Sequence, residues 1–582
     1  MARGDTGDDG RAPNGGMAAL RSAGDFLKAF ADHAGWRGVA AAALVGAGAI
    51  LEGVSVVLLI PILGVVVPGG APSGWRVWLN TILNGFGATT ATAQLGILLA
   101  AFLLVVLLRS GILLARDMAL AKLQGRFVED LRNRMLRTLA AAPWSRIVSL
   151  RHARITNLIG TEMQRVGASA QFMMQGSVAL VLLIVQAALA FSLAPKFAAV
   201  AIVVLTIGAA ALLGTYGRTR DLGGDVVRRS QAMMGSAATF LGGLKAAAAQ
   251  NGQGEFVAEF AAIQTMLKDR QIAYARRMSR SRMVFALGSA LAGAAVVFGG
   301  VVSGVSPPVL IALILIFARM AGPAQQIQSA TQNFVFSLPS FEGMRQLDID
   351  LMRDDDARPP PVIPPPGPIE LRDVRYLHPG GGGVRQASLT IDPGEFVGIT
   401  GPSGAGKTTL VDLLIGLLVP QAGEMRIGGL PADDALLAGL REGIAYVPQD
   451  GFLFHDTVRR NLTWHDDGID QARIDAAIRL AGAEALIAGL PEGLETVIGE
   501  RGAMLSGGER QRLALTRALI RQPRLLILDE AANAIDAEGE AALLARLASL
   551  DPRPTILMIS HRAESMALCD RVIVVERGLV TA

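Results

Sequence analysis

The chain has 582 residues, of which 51% are hydrophobic and 18% charged, with a formal net charge of +4. That length asks for more than one domain, and that apolar balance excludes an ordinary soluble enzyme and points to membrane spans. The small charge is no nucleic-acid-binding signature, and one cysteine (Cys569) with six histidines at no ligand spacing excludes a disulfide framework and a Cys-based metal site.

Residues 1–35, with Asp5, Asp8, Asp9 and several glycines, read as a flexible cytosolic tail with no signal-peptide layout. They leave no room for a cysteine-peptidase domain, so cleavage of leader peptides by this chain is not expected. Residues 36–350 carry six apolar stretches: Val39–Val67, Ala93–Ala115, Ala168–Ala194, Phe197–Leu213, Met283–Val302 and Pro307–Arg319. A span needs about 20 residues, fewer or more with tilt. The short last stretch continues beyond Arg319 as a helix.

Basic residues set the orientation. Ten Lys and Arg lie between Arg116 and Arg165, and eleven between Arg218 and Arg282. The opposite loops hold only Arg76 and Lys196. Both long loops, and both termini, are therefore placed in the cytosol. Leu123, Phe127, Leu131, Met135 and Leu139 recur at helical spacing, so the spans extend into the cytosol as helices. Breaks are expected at Ala142-Pro143-Trp144-Ser145, at Gly235-Ser236 and at Gly242-Gly243.

Glu52 stands inside the first span. It is either a substrate or proton contact, or a structural carboxyl bonded between helices or protonated. Pro61 is expected to bend the same helix. Arg109 and Arg319, near cytosolic ends, read as snorkelling side chains.

Residues 351–368, from Asp354-Asp355-Asp356 into the Pro359–Pro366 run, form a semi-rigid linker. From 369 to 582, strands, glycine turns and helices alternate, as in an α/β domain. The fold class is thus multi-domain: a six-helix α transmembrane domain followed by an α/β P-loop NTPase domain. Gly401-Pro402-Ser403-Gly404-Ala405-Gly406-Lys407-Thr408-Thr409 sits between an apolar strand and a helix, the context in which a Gly-rich loop cradles phosphates. Lys407 suits the β- and γ-phosphates and Thr408 suits Mg²⁺. Downstream, Leu525–Leu528 forms a buried strand ending in Asp529 and Glu530. The first carboxylate suits Mg²⁺ through water, the second the attacking water. Ser506, Gly507 and Gly508 open an amphipathic helix, as a second anion site or an ordinary N-cap. Two anion sites in one domain suggest two copies meeting around one nucleotide.

Together these motifs resemble those of the ATP-binding cassette exporters, as a fused half-transporter, over nearly the whole chain after the tail. Gly401–Thr409 is similar to Walker A, Leu525–Glu530 to Walker B and Leu505–Gln511 to the signature. Gln449 in Tyr446-Val447-Pro448-Gln449 resembles the Q-loop, His561 the switch histidine and Asp536 the D-loop aspartate. Gly499-Glu500-Arg501-Gly502 resembles the motif before the signature. Three features depart from the family. His378 falls where an adenine-stacking aromatic is usual, with Tyr376 in reserve. Ala532, Asn533 and Ile535 differ after Glu530. The chain stops soon after Gly578, so the usual last helix is expected to be missing.

The resemblance implies ATP and Mg²⁺ as cofactors. Gly401, Ser403, Gly404, Gly406, Lys407, Thr408, Thr409 and His378 would bind ATP, and Thr408, Gln449 and Asp529 the metal. Glu530, His561 and Gln449 would be catalytic. Ser506, Gly507, Gly508 and Asp536 would contact the nucleotide of a second copy, and segments Pro143–Ile155 and Met234–Leu244 look like coupling helices. It implies a homodimeric primary active exporter in a bacterial-type inner membrane, multi-pass and lipid-embedded, with an amphipathic, lipidic or peptide cargo; Glu52, from its depth in the first span, is the candidate for the cargo cavity. A flippase of lipid or lipid-linked oligosaccharide is the alternative, and a non-transporting regulator or ATP-gated channel the alternative of another class. Nucleic acid is not an expected partner.

Overall fold

The structure, a computed structural model, describes residues 15–66, 90–193 except 149 and 151, 216–303, 307–352, and 360–581 except 450, 500, 501, 503 and 532–534, with scattered positions between 195 and 206. The chain divides into two compact units, essentially residues 1–352 and 353–582, with 143–145 assigned to the second.

The first unit is helical. Its elements are α1 (Gly15–Val66), α2 (Ala91–Ala141), α3 (Trp144–Val148), α4 (His152–Asn157), a π-helical turn at Leu158–Glu162, α5 (Met163–Leu193), α6 (Tyr216–Ala249), α7 (Gln253–Val302) and α8 (Pro307–Leu351). Among the described residues, four helical segments are long and apolar enough to cross a membrane: Ala19–Ser55, Thr92–Ala141, Arg154–Ser192 and Gln253–Val302. The expected span Phe197–Leu213 falls mostly outside the described residues. The expected span Pro307–Arg319 is the start of α8.

Three expectations are corrected here. The segment read as a flexible tail is helical from Gly15, and Phe26 on it is fully buried. Phe26 sits edge-on to Phe127, Phe334 and Phe341 at 5.7, 5.3 and 5.0 Å between centroids, in a core with Phe30, Leu131, Met135 and Leu338. Apolar residues at positions 26, 30 and 34 give that helix a face to bury. A marked break in α1 falls at Gly35 (φ 46°, ψ −138°), the left-handed dihedral being one that glycine adopts freely. The break at Pro143 is present, since α2 ends at Ala141. Gly235-Ser236 and Gly242-Gly243, however, lie inside the continuous helix α6. Each helical glycine costs only about 1 kcal/mol, and the alanines around these pairs favour helix. The reversal comes at residues 250–252, where Asn251 takes φ 54° and Gly252 precedes α7.

The second unit is built on a ten-stranded sheet. Its strands are β1 (Ile369–Leu377), β2 (Gly383–Ile391), β3 (Phe396–Thr400), β4 (Ala422–Ile427), β5 (Leu430–Pro431), β6 (Ile444–Val447), β9 (Leu525–Asp529), β10 (Thr555–Ile559), β11 (Arg571–Glu576) and β12 (Leu579–Thr581); β7 (Asp456–Thr457) and β8 (Val497–Ile498) pair separately. The order is β5-β4-β1-β2-β12-β11-β3-β10-β9-β6. The strands β11, β3, β10, β9 and β6 are parallel, and β1, β2 and β4 pair antiparallel. The helices used below are α9 (Lys407–Leu414), α10 (Gly507–Ile520) and α11 (Ala537–Ala548).

Alternation along the central strands feeds two cores. Leu526, Leu528, Ile556 and Met558 face one, with Leu513 and Leu544. Leu525, Ile527, Leu557 and Ile559 face the other, with Leu410, Val411 and Leu414 of α9. Such strands are buried on both faces, which is why they read as continuous apolar runs. Part of the proline-rich segment is fastened to this unit: Val362 N donates to the Ala435 carbonyl at 3.0 Å, and Gly428 N to that of Pro368 at 2.9 Å. Residues 353–359 of the expected linker lie outside the described residues.

Candidate functional site

In an open parallel sheet, ligand sites form beyond the carboxyl ends of the strands. The turn from β3 into α9 is at such an end. It needs glycine at two positions. Gly401 has φ 146°, and a Cβ there would lie 2.1 Å from the Val575 carbonyl oxygen. Gly406, at φ 108°, would bring a Cβ within 2.6 Å of the Gly383 oxygen. The loop is thus wedged against β11 and β2, with its amides gathered at the start of α9.

Lys407 is buried, and its Nζ donates to the carbonyl oxygens of Gly401 (2.7 Å) and Pro402 (3.2 Å). The same Nζ lies 3.2 Å from His561 Nε2, which in turn is 3.3 Å from Glu530 Oε1. Gln449 Nε2 donates to Glu530 Oε2 at 2.9 Å. Lys407, His561, Glu530 and Gln449 therefore form one connected network drawn from the ends of β3, β10, β9 and β6. Glu530 is held at φ 48°, an unusual dihedral for a non-glycine residue, with its N–H donating to the Ile559 carbonyl at 3.1 Å.

Asp529 closes β9 and is buried. Its Oδ2 accepts a hydrogen bond from the Tyr446 hydroxyl at 2.8 Å. Burial is the main cause that raises its carboxyl above the ordinary range; Glu530 adds to the rise, while Tyr446 and Lys407 oppose it. Asp412 on α9 is pushed up to about 6, first by burial and then by the charge of Asp529. Burial, followed by Asp529, also raises the Tyr446 phenol.

Thr408 and Ser403 are exposed at the loop. His378 Nε2 lies 3.0 Å from Thr409 Oγ1, and its ring meets Tyr376 edge-on at 5.1 Å. The two candidates for the stacking position are therefore neighbours, with His378 anchored to α9. Ser506 N-caps α10 in a capping box: its Oγ accepts from Glu509 N at 3.3 Å, and Glu509 Oε2 accepts from Ser506 N at 2.7 Å. Gly507 and Gly508 form the first turn. Asp536 N-caps α11 and faces Arg512 at 3.8 Å. The contacts of Ser506 and Asp536 stay at these helix ends rather than joining the Lys407 network. Glu500, Arg501, Ala532 and Asn533 lie outside the described residues.

The donors assigned to the metal from the sequence fit Mg²⁺ in kind. They are hard oxygens: the Asp529 carboxylate, the Thr408 hydroxyl and the Gln449 amide. Glu530 and Asp412 crowd Asp529 with like charge, which a divalent cation would relieve. Among the described residues no group of three or more His, Cys, Asp or Glu could hold a metal by itself.

In the helical unit, Glu52 does not stand alone. Arg109 Nη2 donates to Glu52 Oε2 at 3.0 Å, and Arg319 Nη1 is 3.8 Å from Glu52 Oε1. The two arginines, read as snorkelling, instead converge on this carboxylate from α2 and α8. Sequence reasoning missed this pairing, and it also missed Tyr446 and Asp412. Tyr446 had a usable signal, since it lies in the strand leading to Gln449.

A model of the ABC transporter transmembrane region matches residues 58–324, and a model of the ABC transporter domain matches residues 384–533. An ATP-dependent lipid A-core flippase of Cupriavidus metallidurans is 44% identical over 209 residues, 35% of each chain. One of Chromobacterium violaceum is 38% identical over 283 residues, covering 48% of this chain and 47% of that protein. The matches thus span less than half the length of these curated relatives. A bacterial Atm1-family ABC exporter solved with ATP bound shares the fold, with a TM-score of 0.79 over 94% of both chains at 20% identity. With a transmembrane region and an ATP-binding domain in one polypeptide, on the fold of an ABC exporter, the chain belongs to the ABC transporter family.

Proposed function

We propose that this chain hydrolyses ATP to drive export of an amphipathic, lipidic cargo across the cytoplasmic membrane, working as a homodimer. The observation that carries this reading is the network of Lys407, His561, Glu530 and Gln449 beside Asp529, on a polypeptide that also holds apolar spanning helices. The names of the flippase relatives favour a lipid over a peptide cargo.

ATP phosphates are received by the loop amides and by Lys407, which exchanges its bonds to Gly401 and Pro402 for phosphate oxygens. Thr408, Asp529 and Gln449 would hold Mg²⁺, which would neutralise charge at the phosphates. Glu530 accepts the proton of the attacking water, released for this from Gln449, and His561 orients the γ-phosphate. His378 stacks on the base. Ser506, Gly507, Gly508 and Asp536 of a second copy cover the nucleotide. The transmembrane domain begins with the helix that starts at Gly15 and runs to about residue 350, 351–368 is the linker and 369–582 the ATP-binding domain, with both termini in the cytosol. Glu52, flanked by two arginines, offers cargo a charged spot at membrane depth.

The test is ATPase activity and lipid translocation by the purified chain in liposomes, with Glu530→Gln as control. Lipid-stimulated hydrolysis and movement, both lost in the variant, support the reading. Hydrolysis without any movement favours a regulator, and ATP-dependent conductance that survives in the variant favours a channel.

A further inference from the structure

The sheet register brings one residue to the metal-binding carboxylate that no motif assigns. In the parallel pair β6·β9, Tyr446 lies opposite Ile527 and Val447 opposite Leu528. Residues opposite one another in a sheet share a face, and so do residues two apart along a strand. Tyr446, Ile527 and Asp529 are therefore on one face. Ile527 packs in the core that contains α9, so this is the α9 side of the sheet. The phenol needs to reach only one register step along the strand to meet Asp529 Oδ2, and it does so at 2.8 Å. Asp529 Oδ1 has no protein partner among the described residues.

Asp412 belongs to the same neighbourhood. It follows Thr408 by four residues on α9, one helical turn, and therefore lies on the same helix face. Its carboxyl feels the charge of Asp529. Asp529 is thus buried with a like charge in its neighbourhood and a hydroxyl donor on Oδ2.

We propose that Tyr446 is a positioning residue for metal binding: its hydroxyl locks Oδ2 of Asp529 and so presents Oδ1 to a water on Mg²⁺. A carboxylate free to rotate meets the same water in only part of its orientations, and a hydrogen bond to a charged group is among the stronger ones. The role rests on the proposed ATPase reading of this site.

The test uses the full-length chain loaded with ADP, and Mn²⁺ as the spectroscopic probe in electron paramagnetic resonance titrations. Tyr446→Phe keeps the ring and removes only the hydroxyl. It is expected to weaken Mn²⁺ binding to the ADP-loaded chain about tenfold, the scale of one charge-assisted hydrogen bond. ADP binding in the presence of EDTA is expected to stay within about twofold of wild type, since the phosphate loop is untouched. The Mg²⁺ concentration for half-maximal hydrolysis should rise correspondingly, with the rate at saturating Mg²⁺ largely kept. Unchanged Mn²⁺ affinity in Tyr446→Phe overturns the role. Equal loss of ADP binding with and without metal also overturns it, because that marks a general structural defect. Wild-type Mn²⁺ affinity in Asp529→Asn would instead sink the assignment of Asp529, and with it the underlying reading of the site.

Discussion

Arg109 of α2 donates from Nη2 to Oε2 of Glu52 in α1 at 3.0 Å, a pair drawn from two neighbouring helices at membrane depth. Its Nε is buried without a protein partner among the described residues, and Arg319 of α8 approaches the other oxygen of Glu52 only to 3.8 Å. The carboxylate thus relies mainly on Arg109. Arg109→Ala leaves it under-compensated and is expected to destabilise the helical unit by about 3 kcal/mol. The double variant Glu52→Gln, Arg109→Gln should be less damaged than Arg109→Ala. Thermal unfolding in detergent across the mutant cycle measures this, and additive losses would contradict the pairing.

The phosphate loop offers a comparison between two glycines. At Gly406 a substituent meets both a left-handed φ of 108° and the Gly383 carbonyl at 2.6 Å. At Gly404 the φ is 77°, but nothing lies within 4 Å. Gly404→Ala carries strain alone, about 1–2 kcal/mol. Gly406→Ala adds a backbone displacement and should cost roughly 3 kcal/mol or more. Denaturant unfolding without nucleotide is the measurement. Equal losses would show that the loop is not wedged against β2.

Asp412 gives the ATP-binding domain a pH dependence of known sign. Its carboxyl is raised from 3.8 to about 6 in the folded chain, chiefly by burial. The protonated form is therefore favoured by folding. Its contribution to stability is fully present below the unfolded value and is lost as pH rises through about 6. Asp412→Asn removes the penalised charge. It should stabilise the domain by on the order of 1 kcal/mol at pH 7.5 and by much less at pH 4.5. Unfolding free energies at the two pH values check this, and a gain confined to the lower pH would reverse the argument.

Phe26 tests whether the first turns of α1 belong to the folded unit. It is fully buried against three other phenylalanines. Phe26→Ala should cost about 3–5 kcal/mol locally. Trypsin would then cut earlier at Arg21 and Lys28, while protection of the ATP-binding domain is unchanged. Resistance equal to wild type would mean that this contact does not hold the segment.

The phosphate loop, the Asp529–Glu530 strand end and the Ser506 cap were legible in the chain because each is a local device. The glycines, the apolar run and the capping residue act on backbone within a few positions of themselves. Membrane spans were legible for the same reason, since hydrocarbon demands an unbroken apolar length from one segment. Glycine pairs misled the reading of α6, because a local cost of about 1 kcal/mol each is outweighed by the helix around them. Phe26 was missed because its value comes from partners more than 100 residues away. Only the tertiary structure could decide the pairs that define the sites. Lys407 meets His561 across 154 residues, Tyr446 meets Asp529 across 83, and Arg109 meets Glu52 across 57. Composition and spacing fix which side chains a segment carries. Sheet register and helix packing fix which distant charges share one low-dielectric space, and there a partner decides whether a charge is a liability or a site.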